Sequence, residues 1–390
     1  MITNFKIKNL FGQFNYELDF TNVDGEKIKF LTGPNGYGKT TILSMMNALF
    51  SRDEQDYKVF VETPFEAIEV LFDGARLIIR KNVRKSELID EVEESVVFLF
   101  TPKEDSETIE MNLQFGKDGI VLENSSIFKL FILSRNCYYL TDQRQFSKQS
   151  DGMNSIGRFD DLTIKKDSRK FVELLRDYIS ENNDNFSFGT PRKVEQNEYE
   201  AKKKEINQFI DRLNYYKFYP KPFRLNLPSY SPNISIILGG IIDDALQKLE
   251  KYKPLVEKLD LLCEIVEDCQ PVNKIFRVEA KSGFRLWSLL KPNRTDVLPL
   301  EKLSSGEKQL LIQTFELIFL AKEKSVVLID EPETSYHVAW QMNYFENLKK
   351  IAKKKNLQCI VATHSPEIFN GNWTRSIDLF ECVNESEKHD

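Results

Sequence analysis

The hydrophobic pattern of the chain changes character along its length. Lys27-Ile28-Lys29-Phe30-Leu31 alternates polar and apolar residues, which predicts a strand, and residues 41–50 place apolar side chains at helical spacing. Alternation at 65–72 and 76–80 adds further strands, so residues 1–150 predict a β-rich lobe around one helix. Residues 151–272 are more charged and helix-patterned, with candidate helices at 169–180, 194–213 and 241–269. An Asn- and Gly-bearing run at 181–191 separates the first two, and a Pro-bearing loop at 220–232 precedes the third. Residues 273–390 return to strand–helix alternation. Their apolar runs at 326–329 and 359–362 suit strands buried on both faces of a parallel sheet. The chain has no internal repeat, and the fold class expected is α/β.

Between the first of these strands and the first helix lies Gly33-Pro34-Asn35-Gly36-Tyr37-Gly38-Lys39-Thr40-Thr41, which fits G-x-x-x-x-G-K-[ST]. Strand, loop and helix are the context that a phosphate-binding loop needs. Its glycines let backbone N–H groups turn toward the β- and γ-phosphates of ATP at the positive end of the helix. Asn35, Gly36, Gly38, Lys39, Thr40 and Thr41 are therefore the nucleotide-binding candidates, with Lys39 a point charge and Thr40 a hydroxyl ligand for Mg²⁺. The run 326–329 ends in Asp330-Glu331, two acids at the carboxyl end of a buried strand. Asp330 suits Mg²⁺, and Glu331 suits a general base that polarises water. His364 follows the run 359–362 and ends a neighbouring strand at the same sheet edge, within reach of a γ-phosphate.

Leu303-Ser304-Ser305-Gly306-Glu307-Lys308-Gln309 resembles the signature motif of ABC-type ATPases, with Ser304, Ser305 and Gly306 standing for the usual Ser-Gly-Gly. Glu307 replaces the Gln of many transporters, as it does in the SMC branch. A Ser/Gly turn before a helix is otherwise an N-cap. The order of P-loop, signature, acidic strand end and histidine favours the ABC reading. Glu331-Pro332-Glu333-Thr334-Ser335-Tyr336-His337-Val338-Ala339-Trp340-Gln341 resembles the E-P-E-x-S-L-H-x-x-W-Q pattern of RecF-like and OLD-like bacterial ABC ATPases, with Tyr336 in place of Leu. His337 stands near the position where transporters and SMC proteins carry Asp. The opening Phe5-Lys6-Ile7-Lys8-Asn9-Leu10-Phe11-Gly12 resembles the same group, and good matches cover about residues 1–50 and 296–370.

That resemblance implies an ABC-type ATPase head. Its N-terminal half would be residues 1–150, a compact helical insertion would occupy 151–272, and its C-terminal half would be 273–390. It also implies a head-to-head homodimer, or a higher homo-oligomer, in which Ser304, Ser305 and Gly306 face the γ-phosphate bound by the opposite subunit. Heads of this kind carry a Gln that senses Mg²⁺ and the attacking water. Gln143, in Tyr138-Tyr139-Leu140-Thr141-Asp142-Gln143-Arg144 after the apolar segment 127–133, is the candidate. Arg144 beside it either contacts phosphate or faces solvent. Many standalone members of the group act in bacterial anti-phage defence, holding or releasing a toxic effector. The resemblance thus implies a separate effector partner, a nuclease or a toxin.

Charge and composition narrow the remaining classes. A net charge of −6 argues against a surface that coats DNA generally. Local clusters, Lys202-Lys203-Lys204, Lys349-Lys350 and Lys353-Lys354-Lys355, and the aromatic run Tyr215-Tyr216-Lys217-Phe218-Tyr219 keep a RecF-like DNA-repair role as the alternative. On helices such lysines more often form a solvated face. The five cysteines contain no C-x-x-C pair and read as reduced thiols of a cytoplasmic protein, and the three histidines lack metal-ligand spacing. No apolar run reaches membrane-spanning length, so no membrane partner is expected. The longest candidate helix, about 29 residues, spans only about 40 Å, which argues against a coiled-coil tether. With 26 residues after His364 and no D-x-D at a strand end, a fused Toprim nuclease is not expected. A third reading, an ATP-gated scaffold that barely hydrolyses, is disfavoured by Glu331.

Overall fold

The protein is described from a computed structural model covering residues 1–85, 92–103, 106–116, 119–141, 159–181, 189–219, 221–269, 274–290 and 297–386. The alternating N-terminal segments form β1 (Ile2–Leu10) and β2 (Phe14–Asp19); β3 (Ile28–Thr32) then runs through the glycine loop into α1 (Lys39–Phe50). After the short α2 (Lys58–Glu62) come β4 (Ala67–Phe72), β5 (Ala75–Lys85), β6 (Val92–Thr101), β7 (Ile109–Gly116) and β8 (Gly119–Leu122). The helix α3 (Ser126–Leu133) and the strand β9 (Cys137–Leu140) follow. The apolar segment 127–133 is thus helical, and the strand is the next apolar stretch. Short apolar runs do not distinguish the two by periodicity.

Next come α4 (Phe159–Glu181), α5 (Gln196–Tyr215), α6 (Ser235–Glu250), α7 (Lys253–Asp268), β10 (Lys274–Glu279), β11 (Gly283–Ser288), β12 (Val297–Leu298) and α8 (Ser305–Phe315). A π-helical turn, Glu316–Leu320, extends α8. The chain closes with β13 (Val326–Asp330), α9 (Val338–Lys355), β14 (Gln358–Ala362), β15 (Ser376–Asp378) and α10 (Leu379–Ser386). These elements fall into two compact units, Met1–Arg144 with Leu320–Asp390, and Gln145–Phe319.

The first unit holds two sheets. One has seven antiparallel strands in the order β2-β1-β4-β5-β6-β7-β8, and the other five parallel strands in the order β15-β3-β14-β13-β9. β13 and β14 are buried at every position, as their unbroken apolar runs require. α1 shares one core with both sheets, and Ile42, Leu43, Met45, Met46 and Leu49 are fully buried in it. Each such side chain contributes about 1.5–3 kcal/mol. The amide of Gln358 in β14 ties the sheets together: its Oε1 accepts from the Ile2 N–H at 2.9 Å and its Nε2 donates to the Ile2 carbonyl at 2.5 Å.

Register sets the working edge of the parallel sheet. Leu31 of β3 pairs with Ala362 of β14, Ala362 with Asp330 of β13, and Ile329 with Leu140 of β9. The carboxyl ends of four strands therefore stand level. This is where ligands bind in open α/β sheets.

The second unit is mainly helical, with β10–β12 as a small antiparallel sheet, and the composition change near residue 272 lies inside it. Phe171 of α4 is fully buried and packs edge-on against Phe315 and Phe319, with Phe284 at 5.5 Å. Gly239 of α6 meets the 192 backbone so closely that a Cβ would lie 1.8 Å from the Arg192 carbonyl oxygen. The expected helix over 241–269 is not continuous. It is two 16-residue helices, α6 and α7, broken at Lys251–Tyr252. Pro254 is the reason: it lacks an N–H and is tolerated only in a first turn, so it forces a fresh start. Among the described helices the longest is α4, with 23 residues.

Candidate functional site

The loop after β3 is built by glycines in left-handed backbone conformations. Gly36 has φ +89° with open space where a Cβ would stand. Gly38 has φ +87°, and a Cβ there would meet Leu10 Cδ2 at 2.8 Å. Gly38 is also the N-cap of α1, which has no side-chain cap and no acid in its first turn. Its leading amide groups are left for an anion. Tyr37 stacks on Phe14 at 5.2 Å, and its carbonyl accepts from the Tyr16 hydroxyl at 3.0 Å, which braces the loop from below. Asn35, Gly36 and Thr40 are exposed, and Thr41 is half-buried.

Lys39 is buried at the foot of this loop. Its ammonium donates to the carbonyls of Gly33 at 2.8 Å and Pro34 at 3.2 Å, and lies 3.2 Å from Nδ1 of His364. Burial pulls the Lys39 pKa down, while Glu331, Asp330, Glu333 and Asp378 oppose the shift. Asp330 is buried at the end of β13. Glu331 follows with φ +43°, an uncommon conformation for a side chain of this size, and its N–H donates to the Ala362 carbonyl at 2.9 Å. Glu331 Oε1 lies 2.6 Å from Nε2 of His364. An ammonium can only donate, so Nδ1 of His364 is the acceptor and Nε2–H faces Glu331. Lys39, His364 and Glu331 thus form one hydrogen-bonded chain across the ends of α1, β14 and β13.

One contributor was not singled out by sequence reasoning. Oε1 of Glu333 accepts from the Thr363 hydroxyl at 2.6 Å, the His364 N–H at 2.7 Å and the Ser365 N–H at 3.2 Å. The available signal was the second acid of Glu331-Pro332-Glu333. His337, in the same run, caps α9 by accepting from the Ala339 N–H at 3.2 Å.

Ser304, Ser305 and Gly306 lie in the second unit, at the start of α8. Ser304 and Glu307 form a full capping box: the Ser304 hydroxyl accepts from the Glu307 N–H at 3.3 Å, and Glu307 Oε2 accepts from the Ser304 N–H at 2.6 Å. Lys274 of β10 pairs with the same Glu307 oxygen at 2.6 Å. Burial works to raise the Glu307 pKa, but Lys274 and the Ser304 donors outweigh it and hold the carboxyl below its ordinary value. Gln143 and Arg144 lie outside the described residues.

The donors at the first site fit Mg²⁺-nucleotide. A Thr40 hydroxyl and an Asp330 carboxylate are hard oxygen ligands, and Mg²⁺ commonly takes one or two of these with substrate phosphates and water completing the shell. Among the described residues no group of three His, Cys, Asp or Glu is placed to hold an ion, and no helix is long and apolar enough to cross a membrane.

A family described as AAA ATPase domain matches residues 1–369. The lipoprotein-releasing system ATP-binding proteins LolD of two Ehrlichia ruminantium strains, Gardel and Welgevonden, are each 28% identical over 115 residues. That segment is 30% of this chain and 49% of each relative, so the chain spans about half the length of the curated relatives it matches. A crystal structure of an SMC head bound to the C-winged helix domain of ScpA is similar at 15% identity with a TM-score of 0.38, covering 97% of this chain and 93% of that one.

Proposed function

The chain belongs to the AAA ATPase domain family, and from that premise we propose that it is an ABC-type ATPase that hydrolyses ATP, by the following means and to the following end. Lys39 and the leading amides of α1 hold the β- and γ-phosphates, with Asn35, Gly36, Gly38 and Thr41 lining the cradle. Thr40 and Asp330 hold Mg²⁺, which supplies Lewis-acid stabilisation of phosphate charge when bound. Glu331 takes the proton of the attacking water, and the single Nε2–H of His364 orients Glu331 before ATP binds and turns to hydrogen-bond the γ-phosphate once it is bound. Gln143, which lies outside the described residues, would sense Mg²⁺ and the attacking water. Ser304, Ser305 and Gly306 complete the site of the opposite subunit in a head-to-head dimer.

The observation that supports this reading is the Lys39–His364–Glu331 hydrogen-bonded chain, which gathers at one sheet edge the three side chains to which these roles are assigned. ATP binding closes the dimer and hydrolysis reopens it, so the chemistry times a conformational state. A separate effector, a nuclease or toxin, reads that state in bacterial anti-phage defence. This last step is supported by the resemblance of residues 331–341 to RecF-like and OLD-like ATPases.

Glu331→Gln tests both levels. Hydrolysis should fall by about 10²–10⁴-fold, the range for a lost general base, with ATP retained and a dimer trapped on sizing chromatography with light scattering. Normal hydrolysis by Glu331→Gln would refute the base assignment. Capture on the trapped protein from its host should recover a stoichiometric protein effector. Recovery of DNA alone would move the reading to repair. The basic clusters give that alternative less support, because Lys202 is engaged by Glu198 and Asp243, Lys349 by Glu26, and Lys355 points inward to the Ala321 carbonyl.

A further inference from the structure

We propose that Glu333 is a positioning residue for hydrolysis, whose carboxylate fixes the His364 loop against the loop that carries Glu331. The inference rests on the reading of Glu331 as base and His364 as its partner. Besides the His364–Glu331 side-chain contact, two rungs join the loops. One is main chain, the Glu331 N–H donating to the Ala362 carbonyl at 2.9 Å. The other is the Glu333 carboxylate, whose Oε1 gathers the Thr363 hydroxyl and two successive amides, those of His364 and Ser365. Consecutive N–H groups aimed at one point form an anion-binding concavity, and a charged acceptor makes these bonds roughly twice as strong as neutral ones.

Glu333 is itself held. Its carbonyl accepts from the Tyr336 N–H at 2.8 Å, and the Glu331 carbonyl accepts from the Thr334 N–H at 3.2 Å, which closes the turn that presents both acids. Its Oε2 is shielded from solvent and has no hydrogen-bond partner among the described residues. A carboxylate is costly to hold there merely to end a strand, which a hydroxyl would do. What the carboxylate secures is the backbone under an exposed side chain, the imidazole that lies 2.6 Å from Glu331 and 3.2 Å from Lys39. A displacement of about 1 Å in such a group costs on the order of 10²-fold in rate.

The test uses the full chain carrying Glu333→Ala, Glu333→Gln and Thr363→Val, with Glu331→Gln alongside. For each, kcat, KM and the affinity for a fluorescent ATP analogue are measured. Glu333→Ala should lower kcat by about 10–100-fold while affinity changes by less than about threefold. Glu333→Gln should recover most of the loss, because its amide oxygen accepts the same donors. Thr363→Val, isosteric and lacking one donor, should lower kcat a few-fold and covers the case in which Glu333→Ala does not fold. Wild-type kcat in Glu333→Ala or in Thr363→Val would overturn the proposal. So would equal losses of kcat and affinity, or a Gln variant no better than Ala. If Glu331→Gln hydrolyses ATP normally, the underlying base assignment fails; if it is inactive while Glu333→Ala is normal, only the role of Glu333 fails.

Discussion

Helices α1 and α8 both begin on residues proposed to contact nucleotide, yet their first turns are opposite in kind. α1 starts at a glycine in a left-handed conformation and has neither cap nor acid to occupy its leading amides. α8 starts at Ser304 with both halves of a capping box made and Glu307 further neutralised by Lys274. The first helix end is complete only with an anion in place. The second satisfies itself, and what it offers a phosphate is the proton of the Ser304 hydroxyl, whose lone pairs serve the cap while its O–H remains a donor. An open helix end suits tight binding, and a closed one suits a contact made and released in each cycle.

Variants at the two helix starts should separate these modes. Lys39→Ala has the largest expected effect, a loss of ATP affinity of at least about 10²-fold by calorimetry, since the phosphate charge then meets the amides of α1 alone. Ser304→Ala should leave that affinity within a few-fold but lower hydrolysis by about tenfold in the proposed dimer, and cost about 1 kcal/mol in urea melts through the lost cap. If Ser304→Ala weakens ATP binding as much as Lys39→Ala does, the distinction between the two helix ends collapses.

Lys274→Met should act more mildly and with a pH signature. Glu307 is held below its ordinary pKa in the folded protein, so it binds fewer protons than in the unfolded chain. The stability it contributes is present above the unfolded value of about 4.3 and is lost as pH falls through the lower folded value. Melting temperatures between pH 3 and 7 should therefore fall less steeply on acidification in Lys274→Met than in the parent.

A final comparison concerns the two interiors. Burial pushes Cys359 in β14 and Cys263 in α7 up to about 12, and Cys269 to about 11. Alkylation of the folded protein at pH 8 should be slowed by about 10²–10³-fold relative to a free thiol. In rising urea, Cys263 and Cys269 should label before Cys359, whose strand is hydrogen-bonded on both sides. The reverse order would make the helical unit the more stable one.

Much of this site is legible in the sequence because its signals are local. Three glycines and a lysine within a few residues announce an anion loop, and 326–329 followed by two acids announces a buried strand end. What escaped depends on long-range placement. The partners of Glu333 are thirty or more residues away in sequence, and only the parallel pairing of β13 with β14 brings them close. The helical nature of 127–133 was hidden because a short, largely apolar run, with Lys129 its one polar residue, has too little period to read. The break between α6 and α7 was marked by Pro254, but continuous apolar periodicity on both sides masked it.

That break has a mechanical consequence. A single long helix is a lever: a small rotation at its root becomes a large sweep at its tip. Two helices of about 24 Å meeting at Lys251–Tyr252 roughly halve that gain. The joint is cross-braced, since the Tyr178 hydroxyl of α4 donates to the Lys251 carbonyl and Tyr252 packs against Tyr178. Motion entering one helix is therefore shared with its neighbours. Two short jointed helices give a short throw, so under the proposed function a partner that senses the nucleotide state through this unit would seat close to α6 and α7, where displacements are small.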